Sequence, residues 1–397
     1  MRAVLIKGES RYEALNVFLD HLAAALRARG YEAAILDARA EEDRHAAFRR
    51  EAARPSQFVF SFNILGDYRD PDGRSLGQVF GAPHVVQYVD YPLTHWVSLD
   101  RTAPDTALLM IDETHVQTIA AIYGPERFAH LAFSPHGAFA AGAPVQATPG
   151  EFRRARPIPI LFAGSFYRPE KPWWEGQPEV IRSIFQRALD LALAEEAAPA
   201  LAALDVSLAE HGLDPAGADV SPFRKLATHV HEHVRAHRRV TALEAAADLG
   251  LPVHVYGAGY DLDRERFGAF TFGGEASMER VAELMASSRL VLNINANFGA
   301  GSHERPLMAL MAGAAAATDI SSFYASRFEL GAELAVYRWM SLREDLAAIG
   351  ELATDDVALH ALALAGRRRV KAEHGWDARI DNILAAAEAA RPKLALA

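Results

Sequence analysis

A chain of 397 residues is long enough for two or three domains with cores of their own. Its net charge of −10 argues against broad nucleic-acid binding, and the absence of cysteine excludes disulfides and thiolate metal sites. We expect a soluble cytoplasmic protein, because no apolar stretch approaches the roughly 20 residues of a membrane span and the N-terminus lacks a signal sequence.

The first forty residues predict a strand, a helix and a second strand. Apolar residues fill positions 3–6, helical spacing follows over 12–29, Gly30 stands where a helix C-cap belongs, and 33–36 resumes a strand. Such a βαβ unit implies a parallel sheet. We therefore predict a doubly wound, Rossmann-like α/β domain over residues 1–150. Its further strands are expected at 58–61, 84–88, 108–111 and 130–133.

The C-terminal half repeats this alternation after residues 141–157, whose composition is typical of a linker. We predict a second Rossmann-like domain over 157–375, with a helical insertion at about 168–250, and a C-terminal helix over 376–397 that can cross back to the first domain. Strands of the second domain are expected at 158–162, 252–256, 270–272, 290–294 and 314–318, and helices at 278–287 and 304–312.

The most informative segment is the loop that follows the predicted strand at 290–294. In open α/β sheets, ligands bind beyond the carboxyl ends of the strands, where loops lead into helix N-termini. We expect a helix to begin near Ser302, where unpaired N–H groups suit a pyrophosphate and Arg305 can add a bidentate contact. The alternative is that Ser302 only caps the helix, while Glu304 complements its dipole and Arg305 is solvated. The long polar loop favours the ligand site.

Polar side chains also follow three successive predicted strands of the first domain. Asp90 follows the first, Asp112 and His115 follow the second, and His136 follows the third. A base that deprotonates an attacking hydroxyl or amine could come from this set. For any one of these residues alone, a cap, a turn or a local hydrogen bond is the commoner role. Together they indicate a cleft.

Three histidines, His229, His233 and His237, share one face of a predicted helix at i, i+4 and i+8. The spacing invites a metal site, but H-E-x-x-H is absent and no carboxylate stands at the matching position. We therefore predict a solvated or interdomain surface and no bound metal.

Several segments resemble, in order, the GT-B glycosyltransferases, and within them the CgeB-like group with a family-1-type C-terminal domain. The segment His303-Glu304-Arg305 is the most specific part of a resemblance that covers most of the chain except the helical insertion. The matching segments are VDYPLTH (89–95), SPHG (134–137), ILFAGSFYRP (160–169), VHVYGAGYD (253–261), VLNINANFGAGSHERPLMALMAGAAAATD (291–319) and AGRRRVKAEHGWDARIDNIL (365–384).

This resemblance implies transfer of a sugar from a nucleotide diphosphate donor, bound mainly by the second domain, to an acceptor held against the first. It implies neither a metal nor another cofactor. Asp90 is the first candidate for the acceptor-activating base and His136 the second. The candidate donor-site residues are Gly164, Ser165, Tyr256, Gly257, Asn297, Ser302, His303, Glu304 and Arg305.

One departure from the family pattern keeps other functions open. Many relatives carry a glutamate that holds the donor ribose hydroxyls where this chain has Met308, which cannot accept such a hydrogen bond. A catalytically degenerate protein that binds nucleotide sugars without turnover is therefore one alternative. A sugar-nucleotide epimerase of the two-Rossmann type is another, since it shares the architecture.

Overall fold

The computed structural model describes residues 1–40, 42–142, 146–260, 264–295 and 298–396. The chain divides into two compact units. Unit 1 comprises Met1–Gly137 together with His374–Ala397, and unit 2 comprises Ala138–Glu373.

Strands and helices alternate along most of the described chain. The strands are β1 (Arg2–Lys7), β2 (Glu32–Asp37), β3 (Phe58–Phe62), β4 (His84–Tyr88), β5 (Thr106–Met110), β6 (His130–Phe133), β7 (Ile158–Ala163), β8 (Val253–Tyr256), β9 (Thr271–Phe272), β10 (Ser288–Leu292), β11 (Ala315–Asp319) and β12 (Ala335–Tyr337). The helices are α1 (Ala14–Ala28), α2 (Arg44–Ala52), α3 (Leu76–Phe80), α4 (Trp96–Arg101), α5 (Glu113–Tyr123), α6 (Pro149–Ala155), α7 (Glu179–Ala194), α8 (Ala200–Glu210), α9 (Ser221–Arg224), α10 (Ala227–Asp248), α11 (Met278–Ala286), α12 (Glu304–Met311), α13 (Ser322–Arg327), α14 (Leu342–Thr354), α15 (Asp356–Glu373) and α16 (Asp377–Leu396).

Unit 1 is built on a parallel sheet with the strand order β2-β1-β3-β4-β5-β6. Its central strands β3, β4 and β5 are buried on both faces, which explains why most of their residues are apolar. The strand order reverses between β1 and β3. The last helix of the chain, α16, packs against β4, β5 and β6. The unit therefore follows the flavodoxin-like pattern of doubly wound folds.

Unit 2 is built on a second parallel sheet, with the order β12-β11-β10-β7-β8-β9. Counted from β7, this is the strand order 3-2-1-4-5-6 of dinucleotide-binding domains. The order reverses between β7 and β10, and side chains from these strands join α10, α14 and α15 in one apolar core. The predicted α/β fold with two Rossmann-like sheets is confirmed.

The structure corrects several predicted elements. The predicted linker at 141–157 contains α6, capped by Thr148 through a reciprocal pair of hydrogen bonds with Glu151. The last part of the predicted insertion is α10, which leads directly into β8 and is the crossover helix of a β7-α10-β8 unit. Only 179–224 therefore adds extra helices. The three-residue strand β12 was not predicted.

A buried histidine in unit 1 makes stability depend on pH. Burial lowers the pKa of His84 from 6.5 to about 3, and its Nε2 lies 2.9 Å from Ser61 Oγ. Because the folded-state pKa is the lower one, the unfolded chain takes up the proton first as the pH falls. The stabilising contribution is complete above pH 6.5 and is lost from there towards pH 3.

We therefore expect His84→Gln to weaken the acid sensitivity of unit 1, because glutamine can keep the bond to Ser61 without titrating. Between about pH 7 and about pH 5, the free energy of unfolding should fall by about 2 kcal/mol more in the unaltered protein than in the variant. Urea unfolding at both pH values measures this difference. Equal losses in the two proteins would contradict the assignment.

No helix in the described part of the chain is long and apolar enough to cross a membrane.

Candidate functional site

The switch point of unit 2 brings the loops after β7 and β10 together. Arg305, in the first turn of α12, donates from Nη1 to the carbonyl oxygen of Ala163, 2.5 Å away at the end of β7. The contact leaves no room for a side chain at Gly164, where a Cβ would lie 2.9 Å from the same nitrogen. Ligands of doubly wound folds bind at such a crevice.

A third loop, after β8, packs backbone to backbone against the loop after β7. Gly164 N donates to Tyr256 O and Phe166 N donates to Ala258 O, both over 2.8 Å. A Cβ at Gly257 would overlap the carbonyl oxygen of Gly164. The Tyr256 ring packs closely over Gly273, while the hydroxyl of Tyr260 donates to Gly164 O over 2.6 Å. Glycine is thus required at these turns because the backbones of the two loops approach too closely for a side chain.

A network of buried side chains fixes the start of α12. The backbone N–H of His303, the N-cap residue, donates to Asn295 Oδ1 over 2.7 Å. The backbone N–H of Asn295 in turn donates to the Asp319 carboxylate, whose other oxygen accepts from Trp339 Nε1 over 3.3 Å. Both Asn295 and Asp319 are about 3 % exposed. The network presets the helix N-terminus before any ligand arrives.

Three guanidinium groups surround the loop that follows β7. Arg239 donates from Nη1 to Ser165 O over 2.9 Å, and its guanidinium lies 5.1 Å from the centre of the Tyr167 ring. Arg235, one turn earlier on α10, lies 5.2 Å from the same ring and contacts the Tyr167 hydroxyl. Arg305 completes this arginine cluster, formed by Arg235, Arg239 and Arg305.

Positive charge exceeds negative charge in this region. Burial lowers the pKa of Arg239 to about 10, and the neighbouring Arg305 and Arg235 act in the same direction. The Arg239 guanidinium therefore still carries its charge near neutral pH. Glu304 lies against His303 Nδ1, and burial together with Arg305 lowers the pKa of that histidine. Clustered guanidinium groups that repel one another are stabilised by an anion, and their planar forks match phosphate oxygens.

The structure corrects the predicted role of Ser302. The helix begins at Glu304, as predicted for 304–312, but its N-cap residue is His303 and not Ser302. Ser302 is fully buried, with its hydroxyl 2.8 Å from the hydroxyl of Tyr324. The Ser302 side chain therefore stabilises the loop from the protein interior. Met308 is also fully buried, so the side chain at this position packs in the core. Asn297, a further predicted donor residue, lies outside the described residues.

In unit 1, Asp90 is the accessible member of the polar set at the sheet edge. Its side chain is 51 % exposed, accepts from Asn63 Nδ2 over 2.8 Å and lies 3.5 Å from His95 Nε2. Asn63 adopts a left-handed backbone conformation, φ +55°, and its Oδ1 accepts from the backbone N–H of Val89. The strained asparagine thereby holds both the carboxylate and the backbone next to it.

The other candidates of unit 1 are buried. Asp112 caps α5 by accepting from Thr114 N over 2.6 Å, and His115 stacks edge-on against Tyr91. His136 is 1 % exposed, with its ring 5.2 Å from that of Phe18. Asp90 is therefore better placed than His136 to meet a substrate.

Two of the three histidines on this face of α10, His229 and His233, pack against tryptophan rings. His229 packs 5.7 Å from Trp173, and His233 packs 4.8 Å from Trp174 while its ring nitrogens lie 2.9 Å from His229 O and 3.1 Å from Glu170 O. No cluster of three or more His, Cys, Asp or Glu side chains with metal-binding geometry occurs within the described ranges.

The sequence patterns indicate the loops of this candidate site, but they do not indicate four of its residues, namely Arg235, Arg239, Asn295 and Asp319. The two arginines are four residues apart on a predicted helix, which is a visible signal. However, the adjacent Arg238 turns elsewhere and donates to the carbonyl oxygens of Ala192 and Glu196. Only the fold distinguishes these neighbours.

Comparison with known proteins supports the architecture. Residues 235–385 match the family model described as "Glycosyl transferase-like". A search of curated proteins found no match.

Solved structures share the fold over nearly the whole chain. HepE from Anabaena, solved with UDP and glucose, is 10 % identical with a TM-score of 0.52, and the alignment covers 96 % of this chain and 98 % of HepE. Sucrose-phosphate synthase from Thermosynechococcus elongatus is 10 % identical with a TM-score of 0.53 over 100 % of both chains. A glycosyltransferase involved in avilamycin A biosynthesis is 13 % identical, with a TM-score of 0.50, over 100 % of this chain and 99 % of that one. The chain has the GT-B architecture.

Proposed function

We propose that the protein is a glycosyltransferase that moves a sugar from a nucleoside diphosphate donor to a hydroxyl or amine acceptor. The observation that carries the proposal is the arginine cluster at the switch point of unit 2, beside the preset N-terminus of α12. Solved GT-B structures of the same fold hold UDP or UDP-glucose, and the family match covers α12 and most of α10.

The diphosphate is the leaving group of this reaction, and its negative charge grows as the bond to the sugar breaks. Arg235, Arg239 and Arg305 supply positive charge to it, together with the N–H groups at the start of α12. Transfer should therefore need no divalent metal, and an excess of EDTA should leave the rate unchanged.

Asp90 is the proposed base that accepts the proton of the attacking hydroxyl or amine. Its exposure, and its fixation by Asn63, suit this role. We expect Asp90→Asn to lower the rate of transfer about 100-fold, a typical contribution of a general base, while donor affinity stays the same. Steady-state kinetics with calorimetry of donor binding measure both quantities. Glu113→Gln, a change of the same kind on the surface-facing start of α5, is the control.

The test of the function itself combines a binding screen with a product assay. Thermal-shift measurements with UDP-, GDP- and ADP-sugars identify the donor, and chromatography of mixtures with sugar and amine acceptors detects transfer. Binding with neither transfer nor hydrolysis would favour a degenerate binding protein. An isomeric nucleotide sugar formed from donor alone would favour an epimerase.

The CgeB-like relationship and a cytoplasmic location remain predictions from the sequence.

A further inference from the structure

A cavity lies in unit 2 next to the arginine cluster, and its lining consists of residues other than these three arginines. Its volume is about 330 Å³, which falls in the range of small-molecule sites. We call it the α10 cavity. The loop after β7 supplies Tyr167, Arg168, Pro169 and Glu170, and α10 supplies His229, Glu232, His233 and Ala236.

The position of the α10 cavity follows from the β7-α10-β8 crossover. The C-terminal end of α10 leads into the start of β8, so its N-terminal half lies at the carboxyl edge of the sheet. Tyr167 belongs to both sites, because its ring lines the cavity and also contacts Arg235 and Arg239. A ligand in the cavity would therefore be a neighbour of the diphosphate.

The walls of the cavity are held in place by aromatic packing. His233 lies against Trp174, with its Nε2 3.1 Å from the carbonyl oxygen of Glu170, which joins the helix wall to the loop wall. His229 lies against Trp173. A ligand would thus meet a cavity that is already formed, which reduces the ordering cost of binding.

The lining groups favour an uncharged, polyhydroxylated ligand. The lining carries two carboxylates, of Glu170 and Glu232, and one guanidinium, of Arg168, and Glu232 lies 3.8 Å from Arg235. This balance does not select for an anion. Carboxylates bind sugar hydroxyls, and the Tyr167 ring and Ala236 offer apolar surface to C–H groups.

We propose that the α10 cavity binds a neutral sugar residue. Within the proposed function this sugar is either the one carried by the donor or one in the acceptor, and the two sources are separable by experiment. Glu232 accepts hydrogen bonds from its hydroxyls, while Tyr167 and Ala236 pack against its carbon face.

The test uses saturation-transfer NMR with the full chain and the methyl glycosides of glucose, galactose, mannose and N-acetylglucosamine. We expect at least one glycoside to receive saturation. The signal should fall at least fivefold in Ala236→Met, which fills the cavity, and in Glu232→Gln, which removes the charge but keeps the shape. Glu351→Gln, an exposed change on α14, should keep it. Circular dichroism checks that each variant folds.

A second measurement identifies the source of the sugar. If the cavity holds the donor sugar, Ala236→Met should weaken the binding of a UDP-sugar but not the binding of UDP. If the cavity holds a sugar of the acceptor, the same variant should raise the KM for the acceptor and leave the affinities for the UDP-sugar and for UDP unchanged. The proposal is overturned if no glycoside binds, or if its binding persists in both cavity variants. Glycoside binding without any nucleotide binding would instead refute the proposed function and leave the cavity assignment standing.

Discussion

Replacing Arg305 by alanine should lower the affinity for the donor diphosphate about 100-fold and the rate of transfer about 1,000-fold, the upper range for loss of one preorganised charge donor. Arg305 is 7 % exposed and spans the switch point, so the change removes both a charge beside the diphosphate and the link between α12 and β7. The loss in rate exceeds the loss in affinity because negative charge on the leaving group grows in the transition state. Calorimetry with UDP and steady-state kinetics measure the two effects.

Two further variants separate charge from structure in this experiment. Arg305→Lys keeps the positive charge but loses the planar fork, so it should recover part of the affinity and less of the rate. Arg280→Ala removes a guanidinium paired with Glu283 on α11 and should change neither quantity. Undiminished turnover and nucleotide affinity in Arg305→Ala would refute the site assignment.

Gly259→Ala should cost unit 2 about 3 kcal/mol of unfolding free energy, the upper range for a strained backbone position. Gly259 has a φ of +90°, and a Cβ there would overlap the carbonyl oxygen of Phe166. The contact is between two backbones, so no side chain can move aside. Denaturant unfolding gives the free energy, and donor binding should be lost as well, because the loops after β7 and β8 would separate.

Gly274→Ala is the matched control for this substitution. Gly274 has a similar φ of +80°, but an added Cβ would meet no atom within 4 Å. Gly274→Ala should therefore lower the free energy of unfolding only by the strain of a left-handed alanine, about 1 kcal/mol. The difference between the two variants measures the close approach alone. Equal losses would show that backbone conformation, not contact between the loops, requires the glycine.

The fold was predictable because its strongest signals are local. The strands β1, β3, β4 and β7 are short, mostly buried and mostly apolar segments, and a loop follows each of them. The order of the strands in each sheet was not predictable from these runs. The strand β12 was missed because three residues carry too little pattern to detect.

The sequence indicates where the candidate site lies, but only part of the residues that form it. A loop between a strand and a helix already indicates the carboxyl edge of a sheet, and Arg305 followed from this placement. Arg239 acts through Ser165, 74 residues earlier in the chain, and Asp319 acts through Asn295. Such roles depend on which strands are neighbours in the sheet, and the hydrophobic periodicity of the sequence does not encode this order. The same limit explains Ser302, whose partner Tyr324 belongs to the next helix.

The membership of α16 in unit 1 has a consequence for synthesis on the ribosome. Unit 2 is one continuous stretch, so its whole sheet is available once Glu373 has emerged. Unit 1 begins earlier, yet β4, β5 and β6 keep one face uncovered until α16 is made. The half of the protein that is translated first is therefore the half that finishes folding last, and during that interval its apolar sheet face needs protection from aggregation.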